Sequence, residues 1–201
     1  LFVFLERGKQ VDQGNTAFVL ISAALVLLMT PGLAFFYGGM VKAKSVVSMM
    51  MLSFGSLGLI AVLWVLYGYA ISFSNAGTST FFGVDGWFGI DTSFLGLSAQ
   101  VADAAAPAGA FPSMAFVAFQ ATFAIITVAL ISGAIADRAK FGAWMVFAGL
   151  WATLVYFPVA NWVFNFTLAD GKVVDGGWIV YGLGVIDFAG GTAVHINAGA
   201  A

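Results

Sequence analysis

The chain has 201 residues, of which 62% are hydrophobic and 8% charged, with a formal net charge of −2. A soluble domain carries about 25% charged residues, so this chain has too few to cover a water-facing surface, and its surface must face lipid. The near-neutral balance leaves no basic footprint for nucleic acid, and the lack of cysteine excludes a disulfide framework or a thiolate metal site.

The sequence opens on Leu1–Leu5, an apolar stretch that resembles the end of a removed export signal, followed by the polar stretch Glu6–Asn15. Residues 1–15 therefore read as an extracellular or periplasmic segment. No charge lies between Asp12 and Lys42, between Lys44 and Asp85, or between Lys140 and Asp170. About 20 apolar residues span the ~30 Å hydrocarbon layer. Spans are predicted near 17–40, 47–73, 112–135 and 141–165, and a fifth opens near Asp187 and runs over 187–201. Lipid forces each span to satisfy its own backbone hydrogen bonds, which predicts helices. The short alternating segments of a strand barrel are not seen in the sequence. The fold class is thus an all-α polytopic membrane protein of about five transmembrane helices.

Pro31-Gly32 interrupts the first apolar run and predicts a kink. Trp87 and Phe88 read as interfacial anchors of the long second loop, and Ala104–Pro112 as that loop's flexible end. Gly190, Gly191, Ala193, Ala198 and Gly199 give the fifth span a small-residue face for close helix contact. The fifteen residues from Asp187 to Ala201 would extend about 22 Å as a helix, too short to cross. Lys42 and Lys44 in the first loop, and Arg138 and Lys140 in the third, place those loops in the cytoplasm and the N-terminus outside. Arg7 and Lys9 in the N-terminal tail weigh the other way, beside Glu6 and Asp12.

Two ionisable groups, Asp187 and His195, sit where lipid makes them costly, and such residues are functional candidates by default. Eight positions apart, they are separated on one helix by about 12 Å along the axis and about 80° around it, which excludes a direct catalytic dyad. Asp187 stands at a helix mouth, where a carboxylate either caps the first turn or aids cation entry. A neutral imidazole at His195 offers one donor and one acceptor, suited to a small hydrogen-bonding molecule; the alternative is a core histidine bonded to a backbone carbonyl. The sole histidine lacks partners for a metal site. Phe119 and Phe123 lie one turn apart on one face, with Phe116 above, Gln120 beside them and Thr127 a turn below. Such a stripe is either packing or a face for a small cation. Gly182-Leu-Gly184 lacks the strand and third glycine of a dinucleotide loop, and Asn165-Phe-Thr167 has the pattern of a glycosylation sequon.

Four blocks in order carry a family resemblance: Thr30-Pro-Gly-Leu-Ala-Phe-Phe-Tyr-Gly-Gly-Met-Val-Lys-Ala-Lys44, Leu63-Trp-Val-Leu-Tyr-Gly-Tyr69, Ala118-Phe-Gln-Ala-Thr-Phe-Ala124 with Ile135-Ala-Asp-Arg138, and Asp187-Phe-Ala-Gly-Gly-Thr-Ala-Val-His195-Ile-Asn. From about Asn15 to Ala201 the chain resembles the ammonium transporter (Amt/Rh) family, Amt branch. The resemblance implies the first half of an inverted-repeat ammonium-channel fold, so that 16–201 would be a truncated transporter domain. It implies a homotrimer in the cell membrane whose subunits each pass ammonium or ammonia, with methylammonium as an analogue, and a possible cytoplasmic nitrogen-status partner of the PII class. By the resemblance, His195 matches the first of two pore histidines, Phe123 a gate phenylalanine, and Asp187 the acid beneath the vestibule. Phe119 and Gln120 match flanking positions. The family's vestibule tryptophan falls at Phe164 when counted from Pro158, so Phe164, Trp162 or Trp178 would form that wall. The implied protein is a transporter, not an enzyme, and needs no cofactor. A transporter-like ammonium sensor is the alternative, and a membrane-embedded enzyme using Asp187 and His195 is a more distant one.

Overall fold

The computed structural model describes residues 11–74, 89–102, 111–169 and 172–201, with backbone alone for 167–169 and 172–175. Leu1–Leu5, Arg7, Lys9, Trp87, Phe88 and most of Ala104–Pro112 lie outside the described residues.

Four helices are long and apolar enough to cross a membrane: α1 (Gln13–Met40), α2 (Ala43–Ser72), α3 (Ser113–Ile135) and α4 (Phe141–Phe164). α1 begins four residues before the expected 17 because Asp12 caps it, its carboxylate accepting the Asn15 amide at 2.7 Å. The helix passes through Pro31 without interruption. Lys42 and Lys140 hold extended backbone just before α2 and α4, and Pro112 does so before α3. The short turns therefore begin where the polar residues or proline fall.

α3 is the central helix. In the apolar window of its span 56% of residues are buried, against 22% in α1, and it packs on both α1 and α2. Indole and phenol groups, which need a partner when buried, tie the helices together through backbone carbonyls. Trp64 of α2 donates to the Val117 carbonyl of α3 at 3.2 Å. Trp144 of α4 donates to the Leu52 carbonyl and the Ser56 hydroxyl of α2, both at 3.0 Å. Tyr37 of α1 donates to the Leu130 carbonyl of α3 at 3.0 Å.

α2 and α4 each contain a wider, π-helical turn, Trp64–Gly68 and Ala152–Tyr156. Pro158 has no amide to return to the turn before it, which accounts for the opening in α4. The two turns face each other: the Tyr67 and Thr153 hydroxyls share a hydrogen bond of 2.8 Å. Gly68 is the point of closest approach, since a Cβ there would come within 2.6 Å of the Phe157 ring.

After α4 the chain forms a two-stranded antiparallel hairpin, β1 (Phe166–Ala169) and β2 (Lys172–Gly176), with a register irregularity between Thr167 and Leu168. Among the described residues this is the only sheet, added to an otherwise helical frame. A further π turn, Trp178–Gly182, leads to α5, a helix over 191–200 that packs on α3 and α4. Of the expected small-residue face, Ala193 is fully buried, whereas Gly190 stands outside the helix.

Candidate functional site

α5 starts four residues after Asp187, and Asp187 is why. Its two carboxylate oxygens take up amides that the first helical turn leaves without intrahelical partners. Oδ1 accepts the Gly190 amide at 2.6 Å; Oδ2 accepts those of Thr192 and Ala193 at 2.9 and 3.0 Å. The capping role anticipated for Asp187 is therefore present in the geometry. The carboxylate also carries its charge to the positive end of the helix dipole, where a negative charge is favoured.

His195 lies on the first turns of α5. It lines a cleft of about 440 Å³ together with Met29, Gly32, Leu33 and Phe36 of α1, Phe123, Ile126 and Leu130 of α3, and Ala189 and Val194. Apart from the imidazole these side chains are apolar. The cleft has walls from α1, α3 and α5, and the His195 side chain is exposed on its open side.

Phe119 and Phe123 stack edge to face with centroids 4.9 Å apart and planes at 84°. Phe123 belongs to the His195 cleft, while Phe119 lines a second apolar cleft with Asn15, Phe18, Val19, Ser22, Phe111 and Phe116 at the opposite end of the pair. The two rings thus border different clefts. Gln120 is half-buried and lines neither.

Of the three candidates for an aromatic wall, the structure brings Phe164 to Asp187. Both line a cleft of about 480 Å³ with Val163, Phe166, Val180, Tyr181, Gly184, Val185 and Ile186. Trp162 and Trp178 instead pack on each other, centroids 5.7 Å apart at 60°, and neither reaches that cleft. The β1–β2 hairpin accounts for this, since it returns the chain so that Gly177 donates to the Asn165 carbonyl at 3.0 Å beside the end of α4.

Sequence reasoning did not find Tyr156. It is fully buried at the end of the α4 π turn, and its hydroxyl meets the Thr127 side chain of α3. The signal was available, since a phenol hydroxyl in an uncharged span needs a partner. A second omission is the amide knot at the C-terminal end of α4. Asn161 Nδ2 lies 3.2, 3.2 and 3.1 Å from the carbonyls of Ile71, Ser72 and Ser74, and Asn165 Nδ2 donates to the Ser74 carbonyl at 2.5 Å. These are carbonyls that the end of α2 leaves open. The knot also commits the very nitrogen that a glycan at the Asn165 sequon would need. Among the described residues no group of three or more His, Cys, Asp or Glu is placed to hold a metal ion.

The model of the Ammonium Transporter Family matches residues 17–201. The chain is 59% identical over 198 residues to an ammonium transporter of Mycobacterium tuberculosis (strain ATCC 25618 / H37Rv), a match covering 94% of this chain and 41% of the relative. It is 44% identical over 191 residues to an ammonium transporter of Bacillus subtilis (strain 168), covering 95% and 42%. The chain thus spans about two fifths of the length of these curated relatives. Among solved structures it is similar to Candida albicans Mep2, with a TM-score of 0.75 at 31% identity over 94% of this chain and 38% of that one. Saccharomyces cerevisiae Mep2 gives 0.73 at 31%, covering 94% and 39%.

Proposed function

This chain belongs to the ammonium transporter family, and we propose that it forms one wall of an ammonium-conducting pore that runs through each subunit of a homotrimer in the cell membrane. The observation that carries the reading is the shared cleft of Phe123 and His195, an aromatic ring and a lone imidazole in otherwise apolar surroundings.

Stripping water from a cation in an apolar passage is costly, so ammonium needs help at each stage. At the outer mouth, Phe164 offers an aromatic face beside the Asp187 charge, and a ring face attracts a small cation by about 0.5–2 kcal/mol. Trp162 and Trp178 buttress that mouth from behind. Phe123 supplies the gate ring, with Phe119, stacked edge to face on it, and Gln120 in flanking roles on the same helix. Past the gate, His195 presents a donor or an acceptor to ammonia or to a proton leaving ammonium. The open side of the cleft receives the opposite wall from the second, inverted half that the family resemblance implies.

The basic residues of the first and third loops support an N-terminus outside the cell. Those same loops, with Lys42, Lys44, Arg138 and Lys140, are the surface that a cytoplasmic PII-class regulator would meet. The test is uptake of labelled methylammonium by vesicles that carry the complete protein. Uptake above that of empty vesicles, competed by ammonium, is expected; vesicles that take up none contradict the proposal.

A further inference from the structure

His195 is reached through an unusual piece of backbone. Gly190 adopts a left-handed conformation, φ 78° and ψ 16°, immediately before α5. Its carbonyl then accepts two amides, Val194 at 3.0 Å and His195 at 3.1 Å. The bond to His195 closes a five-residue, π-type turn, and π geometry runs over Gly191–Ile196. Such a turn holds one residue more than an α turn. In an α-helix each residue advances about 100° around the axis, so the extra residue rotates everything after it by about that much. Ala193 is left fully buried, and His195 faces the cleft.

We infer that Gly190 is a positioning residue for transport: its left-handed backbone, fixed by Asp187, sets the π turn that aims His195 into the cleft. Two features make glycine necessary here. Residues with a Cβ rarely enter this region of backbone space. A Cβ at Gly190 would also lie 3.2 Å from Cγ2 and 3.5 Å from Cβ of Val194, one residue before the histidine. The Gly190 amide meanwhile donates to Asp187 Oδ1 at 2.6 Å. The cap, the left-handed residue and the π turn therefore act as one unit, and a side chain at Gly190 is transmitted to the imidazole. The inference rests on the reading of His195 as a pore residue.

The experiment compares Gly190→Ala, His195→Ala and the double variant in the complete protein at matched membrane abundance. The readouts are methylammonium uptake and potassium leak in vesicles. Gly190→Ala is expected to lower uptake roughly tenfold, the effect of a backbone shift worth one left-handed residue. The double variant is expected to match His195→Ala alone, in both uptake and leak, because Gly190 acts through the histidine. A double variant clearly weaker than His195→Ala, or a Gly190→Ala protein that transports like the parent while His195→Ala does not, overturns the positioning role alone. A His195→Ala protein indistinguishable from the parent overturns the pore reading and this inference together. Should Gly190→Ala fail to assemble, Gly190→Asn takes its place, since asparagine enters the left-handed region several-fold more readily. It is expected to transport better than His195→Ala and to show the same non-additivity; assembled protein with additive loss overturns the inference.

Discussion

The edge of one ring in the Phe119–Phe123 pair meets the face of the other at a centroid distance of 4.9 Å, and the two rings belong to different clefts. Only Phe123 borders the space that holds His195. Replacing Phe123 by alanine should therefore change methylammonium uptake more than replacing Phe119. The edge contact itself is worth about 0.5–1.5 kcal/mol, so Phe119→Ala should still loosen the gate through its neighbour. Initial uptake rates of the two single variants and the double variant check this. Equal effects of the two single changes, adding in the double, would contradict a gate ring at Phe123 that Phe119 only flanks.

Asp187 spends both carboxylate oxygens on the three amides that open α5. Asp187→Ala should cost about 2 kcal/mol, the upper end of an N-cap replacement, and lower the thermal unfolding midpoint of the purified protein. Asp187→Asn retains a side-chain oxygen and should lose less. A carboxylate acting only on a passing cation would instead lower uptake in the alanine variant and leave the midpoint where it was.

Phe164 shares its cleft with Asp187, whereas Trp162 and Trp178 pack on each other. Phe164→Ala should raise the methylammonium KM by about 2–30-fold, the range of one cation–ring contact. Trp162→Ala and Trp178→Ala should move KM less and thermal stability more. A larger KM change in either tryptophan variant would transfer the recruiting role to that residue.

Spans are legible because lipid enforces long charge-free runs, and α1 to α4 fall within a few residues of where those runs lie. Of three four-residue discrepancies, one is the short 3-10 turn Ala43–Ser45 that opens α2; the other two, at Gln13 and at the start of α5, have one cause. Asp12 and Asp187 act as caps, so each carboxylate fixes a helix start that hydropathy alone does not register. The Phe119–Phe123 contact was legible from spacing, because positions one turn apart share a face. What stayed hidden depends on chain geometry away from regular helices. The π turns at Trp64–Gly68, Ala152–Tyr156 and Gly191–Ile196 follow no local pattern of apolar residues. The knot of Asn161, Asn165 and Ser74 joins residues 87 and 91 positions apart. That Phe164 shares a cleft with Asp187 while Trp162 packs on Trp178 follows from a hairpin that hydropathy does not register.

The most direct test is the initial rate of methylammonium uptake by the complete protein carrying His195→Ala, at parent levels of assembled protein in the membrane. A lone imidazole that greets ammonia inside an apolar passage predicts that the rate collapses or that selectivity over potassium changes. Uptake and selectivity both equal to the parent would contradict the assignment of this cleft as the conducting path.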